Sequence, residues 1–155
     1  MATRVFSQQP DLVLALPKLL AHARRFFAAE LDVLSASSPE RVEPAVAVVT
    51  LRFESARYPA HGTFRIESRP ATADDRFAAE AAEARGRAGG MALLAARCPA
   101  LWTLTAEAET QGPAELQLAA LLASVALGPV MPADESTLYG VRGAMERAEL
   151  ANEKP

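Results

Sequence analysis

The stretch from Pro113 to Leu127 constrains this chain most, because it reads as a helix that is almost entirely apolar. Gly112-Pro113 opens it and Gly128-Pro129 closes it, the residue types that start and stop helices. A helix without a polar face either lies at the centre of its own core or is covered by a partner. It is not a membrane span: Leu116 to Leu127 contains Gln117 and falls short of the ~18 uncharged apolar residues that a bilayer requires. If the cover is a second chain, the contact residues are Leu116, Leu118, Leu121, Leu122 and Val125.

Around this helix the pattern alternates between two periods. Residues 17–35 have Pro17 at the first helical position and Leu20, Phe27, Leu31 and Leu34 on one face, which predicts a helix. Lys18, His22 and Arg25 fall on another face, and Ser35 to Pro39 supplies a polar stop. Ala45–Ser55, rich in valine and alternating late at Leu51 and Phe53 against Arg52 and Glu54, and the alternating Thr63–Ser68 flank Arg57-Tyr58-Pro59-Ala60-His61-Gly62, which predicts an antiparallel hairpin. Opposing Arg52 to Glu67 and Glu54 to Arg65 would pair opposite charges and set Phe53 beside Ile66.

Thr72-Ala73-Asp74-Asp75 has the form of a helix start, followed by a stripe of Phe77, Ala81, Ala84 and Ala88. Gly86, Gly89 and Gly90 break that run into a kinked helix or two in tandem, and Pro99 ends it. Leu101–Glu107 predicts a third strand with Trp102 and Leu104 facing one way, and short strands fit Val130-Met131 or Val5-Phe6. A last helix from about Thr137 to Ala151 carries Leu138, Val141, Met145 and Ala148 on one stripe, and residues 152–155 form a polar tail. The expectation is one α+β domain over residues 1–155. It has a small, mostly antiparallel sheet (the hairpin plus at least one further strand) packed with about four helices, in the order α-β-β-α-β-α-α.

Composition narrows the function classes. A net charge of −3 argues against a surface built to neutralise phosphates, so nucleic acid is disfavoured as a partner. The basic residues are nearly all arginine and alanine is abundant, the bias of a GC-rich, bacterial type of genome. Asp11, Pro17 and Lys18 interrupt the apolar stretch near the start, so no secretion signal is read there. The single cysteine, Cys98, is expected to be a buried, inert thiol and places the chain in the cytoplasm.

Chemistry-bearing motifs are scarce. Neither His22 nor His61 has the spaced His, Cys or acidic partners of a metal site. Gly86-Arg87-Ala88-Gly89-Gly90 lacks the strand before it and the Lys-Ser/Thr after it that a phosphate loop needs, and a helix kink or close packing accounts for it. The acids Asp74, Asp75, Glu80 and Glu83 read as a solvated helix face. No Gly-x-Ser-x-Gly elbow is present.

The leading expectation is therefore a non-enzymatic interaction or assembly module, partnered by itself as a homo-oligomer or by another protein, with no membrane and no cofactor. The alternative is an anionic-ligand-binding protein or small enzyme using the hairpin loop. There Arg57 supplies a donor fork, Tyr58 a flat face and hydroxyl, and His61 a group that titrates near neutral pH.

Overall fold

A computed structural model describes residues 2–9, 14–37, 45–46, 48–56, 60–107, 110 and 113–153. Its framework is a six-stranded sheet built from β1 (Thr3–Ser7), β3 (Ala29–Ser37), β5 (Val48–Ser55), β6 (Ala60–Pro70), β7 (Ala100–Ala106) and β8 (Val130–Met131). The strand order is β3-β5-β6-β7-β1-β8, and every pairing is antiparallel. A separate two-stranded ribbon joins β2 (Leu14–Ala15) to β4 (Ala45–Val46). Five helices lie among the described residues: α1 (Leu16–Phe27), α2 (Ala73–Gly86), α3 (Met91–Ala96), α4 (Ala114–Ala126) and α5 (Val141–Glu153). The α+β expectation holds, with both candidate short strands present. None of these helices is long and apolar enough to cross a membrane.

Two cores flank the sheet. On one face Val5, Leu51, Phe53, Phe64, Ile66, Trp102 and Leu104 pack with residues of α1, α4 and α5. On the other face Phe6, Leu101 and Met131 meet Ala79 and Ala82 of α2 and Ala92 and Ala95 of α3. Successive residues such as Val5 and Phe6 thus enter opposite cores, as strand geometry requires. Along β5 and β6 no described element covers this second face, and Arg52, Glu54, His61 and Arg65 are exposed there. Their clean alternation with buried neighbours belongs to a sheet wetted on one side.

Four expectations need correction. Residues 17–35 are not one helix, because α1 ends at Ala28 in the left-handed conformation and Ala29–Ser37 becomes an edge strand paired with β5. Leu31 and Leu34 satisfy the helical period, but Ala29 and Leu31 inward with Glu30 and Asp32 outward satisfy the strand period as well, and pairing to β5 decides between them. The hairpin register also differs. Arg52 opposes Thr63, Glu54 opposes His61 and Phe53 opposes Gly62, because β6 begins at Ala60, inside the expected loop. The slip is by an even number of residues, so every side chain keeps its expected face.

The stripe on α2 is rotated from the expected one: Asp75, Ala79 and Ala82 are buried, whereas Phe77 is 66% exposed. The rotation follows from the helix start. Thr72 and Asp75 form a reciprocal capping box, and both Asp75 carboxylate oxygens accept from Arg69 at 2.6 and 2.7 Å, drawing Asp75 inward. Lastly, α5 starts at Val141 rather than Thr137, because Tyr139 is held in a β-bridge to Val130. Asn152 and Glu153 belong to α5, and Lys154 and Pro155 lie outside the described residues. The break between α2 and α3 is a tandem pair, and close packing explains Gly86, where a Cβ would come within 1.9 Å of Thr137 Oγ1.

The Asp75 cluster carries a pH prediction. Burial would raise this carboxyl, but the Arg69 guanidinium and the Thr72 backbone and hydroxyl groups reverse that and hold it at about 2, below its ordinary 3.8. A group depressed in the folded state stabilises above its unfolded pKa, and that contribution is lost as pH falls through the folded value. Stability should fall by roughly 2 kcal/mol between about pH 4 and pH 2 from this group. Urea unfolding of the wild type and Asp75→Asn across that window checks it. The variant should be less stable at neutral pH and should lose less on acidification.

Candidate functional site

A cavity of about 280 Å³ opens where the start of α4, the middle of α5 and the segment after β8 meet. That volume is near the lower end of the ~300–1,000 Å³ usual for small-ligand sites. Its apolar lining comes from Leu116, Ala119, Val130, Pro132 and Ala144, and its polar lining from Thr3, Glu115, Asp134, Tyr139 and Arg147.

Each polar group is placed by identifiable local structure. Glu115 stands in the first turn of α4, where the positive helix end favours an acid, and the Thr3 hydroxyl donates to its Oε1 at 3.0 Å. That bond ties the helix start to β1. After β8 the chain reverses: the Glu135 amide donates to the Pro132 carbonyl at 2.9 Å. The Ser136 amide donates to Asp134 Oδ1 at 3.0 Å. Hydrogen bonds from Ser136 hold the Asp134 carboxyl below its ordinary value, so it is charged at neutral pH. Val130 and Tyr139 then exchange backbone hydrogen bonds at 2.7 and 2.9 Å, which fixes the tyrosine at the cavity wall. The Arg147 guanidinium lies 3.9 Å over the Tyr139 ring centre, a cation–π contact. Burial raises the Tyr139 pKa, with Arg147 opposing and Asp134 adding to the shift, so the phenol stays protonated.

A wider and more open groove of about 630 Å³ adjoins this cavity, with Tyr139 and Arg147 lining both. Gly140, just before α5, and Gly143 and Leu150 on it continue the groove. Being the more open of the two, it gives a small ligand less burial than the first cavity does.

Of the candidate site residues singled out from the sequence, among the described ones only Leu116 lines this cavity. Leu118, Leu121, Leu122 and Val125 are buried inside the chain's own core, and of the five only Leu116 is substantially exposed, at 40%. The apolar character of α4 is thus accounted for by α1, α5 and the sheet. His61 lies on the exposed face of β6 opposite Glu54, not in a loop, and Arg57 and Tyr58 lie outside the described residues. His22 is not simply solvated: its Nδ1 is 2.8 Å from Ser124 Oγ on α4. Burial, with Lys18 and Arg25 nearby, lowers its pKa. The pair is no catalytic dyad. Ser124 spends its only proton on the Leu121 carbonyl at 2.6 Å, so it accepts from His22, the reverse of an activated nucleophile.

Cys98 is buried, and burial pushes its thiol up to about 11, which makes it a poor nucleophile at neutral pH. Arg85 donates to the Glu135 carbonyl at 3.0 Å. Among the described residues no group of His, Cys, Asp and Glu is placed to hold a metal ion. Sequence reading missed Thr3, Glu115, Asp134, Tyr139 and Arg147, which come from separate segments and share no spacing. No family model matches the chain, and no curated protein or solved structure matches it.

Proposed function

We propose that the chain is a small-molecule-binding protein whose site is the cavity between α4, α5 and the segment after β8. The observation that carries this reading is the convergence there of an apolar floor with a carboxylate, a phenol and a guanidinium, the combination typical of ligand sites. The sequence suggests as its alternative an anionic-ligand-binding protein or small enzyme at the hairpin loop; the present reading keeps only ligand binding and rests on this cavity instead.

Filling the cavity tests the reading. Ala144 is buried at the wall on α5, and Ala144→Leu would project its added carbons into the space. Small amphiphilic fragments that raise the melting temperature of the wild type should have no such effect on Ala144→Leu, whose own melting temperature should be unchanged or raised. If Ala144→Leu is itself destabilised, Ala119→Val replaces it as the filled form. Fragment shifts that survive filling, or a library without any shift, would end the proposal.

Self-association through the sheet edge is the second reading. Among the described residues β3 pairs only with β5, and Leu34 on it is 56% exposed, a combination that invites strand pairing between chains. A concentration-independent 16.5 kDa species in sedimentation would remove it.

A further inference from the structure

Resting on the ligand-binding reading above, we infer that the occupant of the cavity is a small aliphatic amine, bound as its ammonium by Glu115. The argument starts from what the Glu115 carboxylate lacks. It is half-buried and accepts one hydrogen bond, from the Thr3 hydroxyl to Oε1. Among the described residues Glu115 forms no ion pair with a basic side chain, and it is one of the two acids that line the cavity. Among those residues its Oε2 accepts no hydrogen bond, and the residue lines the cavity. A carboxylate beside an apolar wall interacts with a counter-charge more strongly than it would in bulk water, and a charge-assisted hydrogen bond from an ammonium would complete it.

The rest of the lining points the same way. A second carboxylate, Asp134, also lines the cavity, from the segment after β8. The one cationic side chain in the lining, Arg147, is exposed and laid against the Tyr139 ring. Two acids against one base give the cavity lining a net negative charge, which disfavours carboxylates and phosphates and favours cations. Leu116, Ala119, Val130, Pro132 and Ala144 then select a short, branched hydrocarbon body over a polar one.

Three probes of matched shape separate charge recognition from simple filling: isopentylamine, 3-methylbutan-1-ol and 4-methylpentanoate. Calorimetric or ligand-observed titration at pH 7 should show the amine binding at least ~10-fold more tightly than the alcohol, with no measurable binding of the carboxylate. Glu115→Gln keeps the acceptor for Thr3 and should reduce the amine to the level of the alcohol without changing the alcohol. Asp134→Asn, at an exposed position, should weaken the amine by a smaller factor and guards against a folding defect in the first variant. Equal binding of amine and alcohol would overturn the inference while leaving the cavity a ligand site. Tightest binding of the carboxylate would overturn it in favour of Arg147. Failure of all three probes to bind, with no effect of filling the cavity, would remove the ligand-binding reading itself.

Discussion

Leu118→Glu should abolish cooperative folding, and Leu118→Ala should lower stability by about 2–5 kcal/mol. Leu118 is fully buried on α4, in the core formed with α1, α5 and the inner sheet face. The carboxylate of Leu118→Glu would have no partner there, a penalty of several kcal/mol or more against a total stability of about 5–15 kcal/mol for a domain. Leu116 is two residues away on the same helix but 40% exposed, and Leu116→Ala should cost less than ~1 kcal/mol. Urea denaturation of the three variants checks the contrast. A Leu118→Glu protein that unfolds cooperatively near the wild-type midpoint would mean that α4 is not the centre of this fold.

Gly128→Ala should destabilise by about 3 kcal/mol, the upper end of overpacking effects. A Cβ at Gly128 would come within 2.0 Å of the Phe6 carbonyl oxygen and 2.6 Å of its carbon. The obstacle is backbone, and it is pinned: Phe6 donates to the Pro129 carbonyl and Gln8 to the Ala126 carbonyl, each at 3.0 Å. β1 therefore cannot retreat without giving up the bonds that join it to the end of α4. Gly89 supplies the control, since nothing lies within 4 Å of a Cβ there, and Gly89→Ala should change stability by no more than ~1 kcal/mol in either direction. Thermal unfolding of the pair gives the comparison, and equal effects at the two positions would contradict the packing described here.

The Gly128 result separates two roles that a sequence merges. Gly128-Pro129 does stop the helix, yet the left-handed residue at its end is Leu127, and the glycine is needed because Phe6 passes so close. Local signals of this kind located most elements correctly. Alternation in β5 and β6 depends only on which face is wet, and it survived an error in register because the slip preserved parity. Thr72 and Asp75 announced the start of α2 because capping is a contact between near neighbours. By contrast, Ala29–Ser37 satisfies two periods at once, and the partner strand that decides between them is distant in sequence. The cavity was illegible for the same reason: Thr3 and Glu115 are 112 residues apart and meet only because β1 is inserted between β7 and β8. For α4 the sequence left open whether the cover was internal or a second chain, and burial of Leu118, Leu121 and Leu122 within one chain decides for the core.

That α4 and α5 enclose a ligand site is the central claim, and methyl-resolved NMR of the intact chain titrated with isopentylamine tests it most directly. The account predicts saturable shifts confined to the methyl groups of Leu116, Ala119, Val130 and Ala144, with those of Leu51, Ile66 and Leu104 in the deep core unmoved. A spectrum that changes with none of isopentylamine, 3-methylbutan-1-ol and 4-methylpentanoate at millimolar concentration, or shifts that cluster at the β5–β6 hairpin around His61 instead, would contradict it.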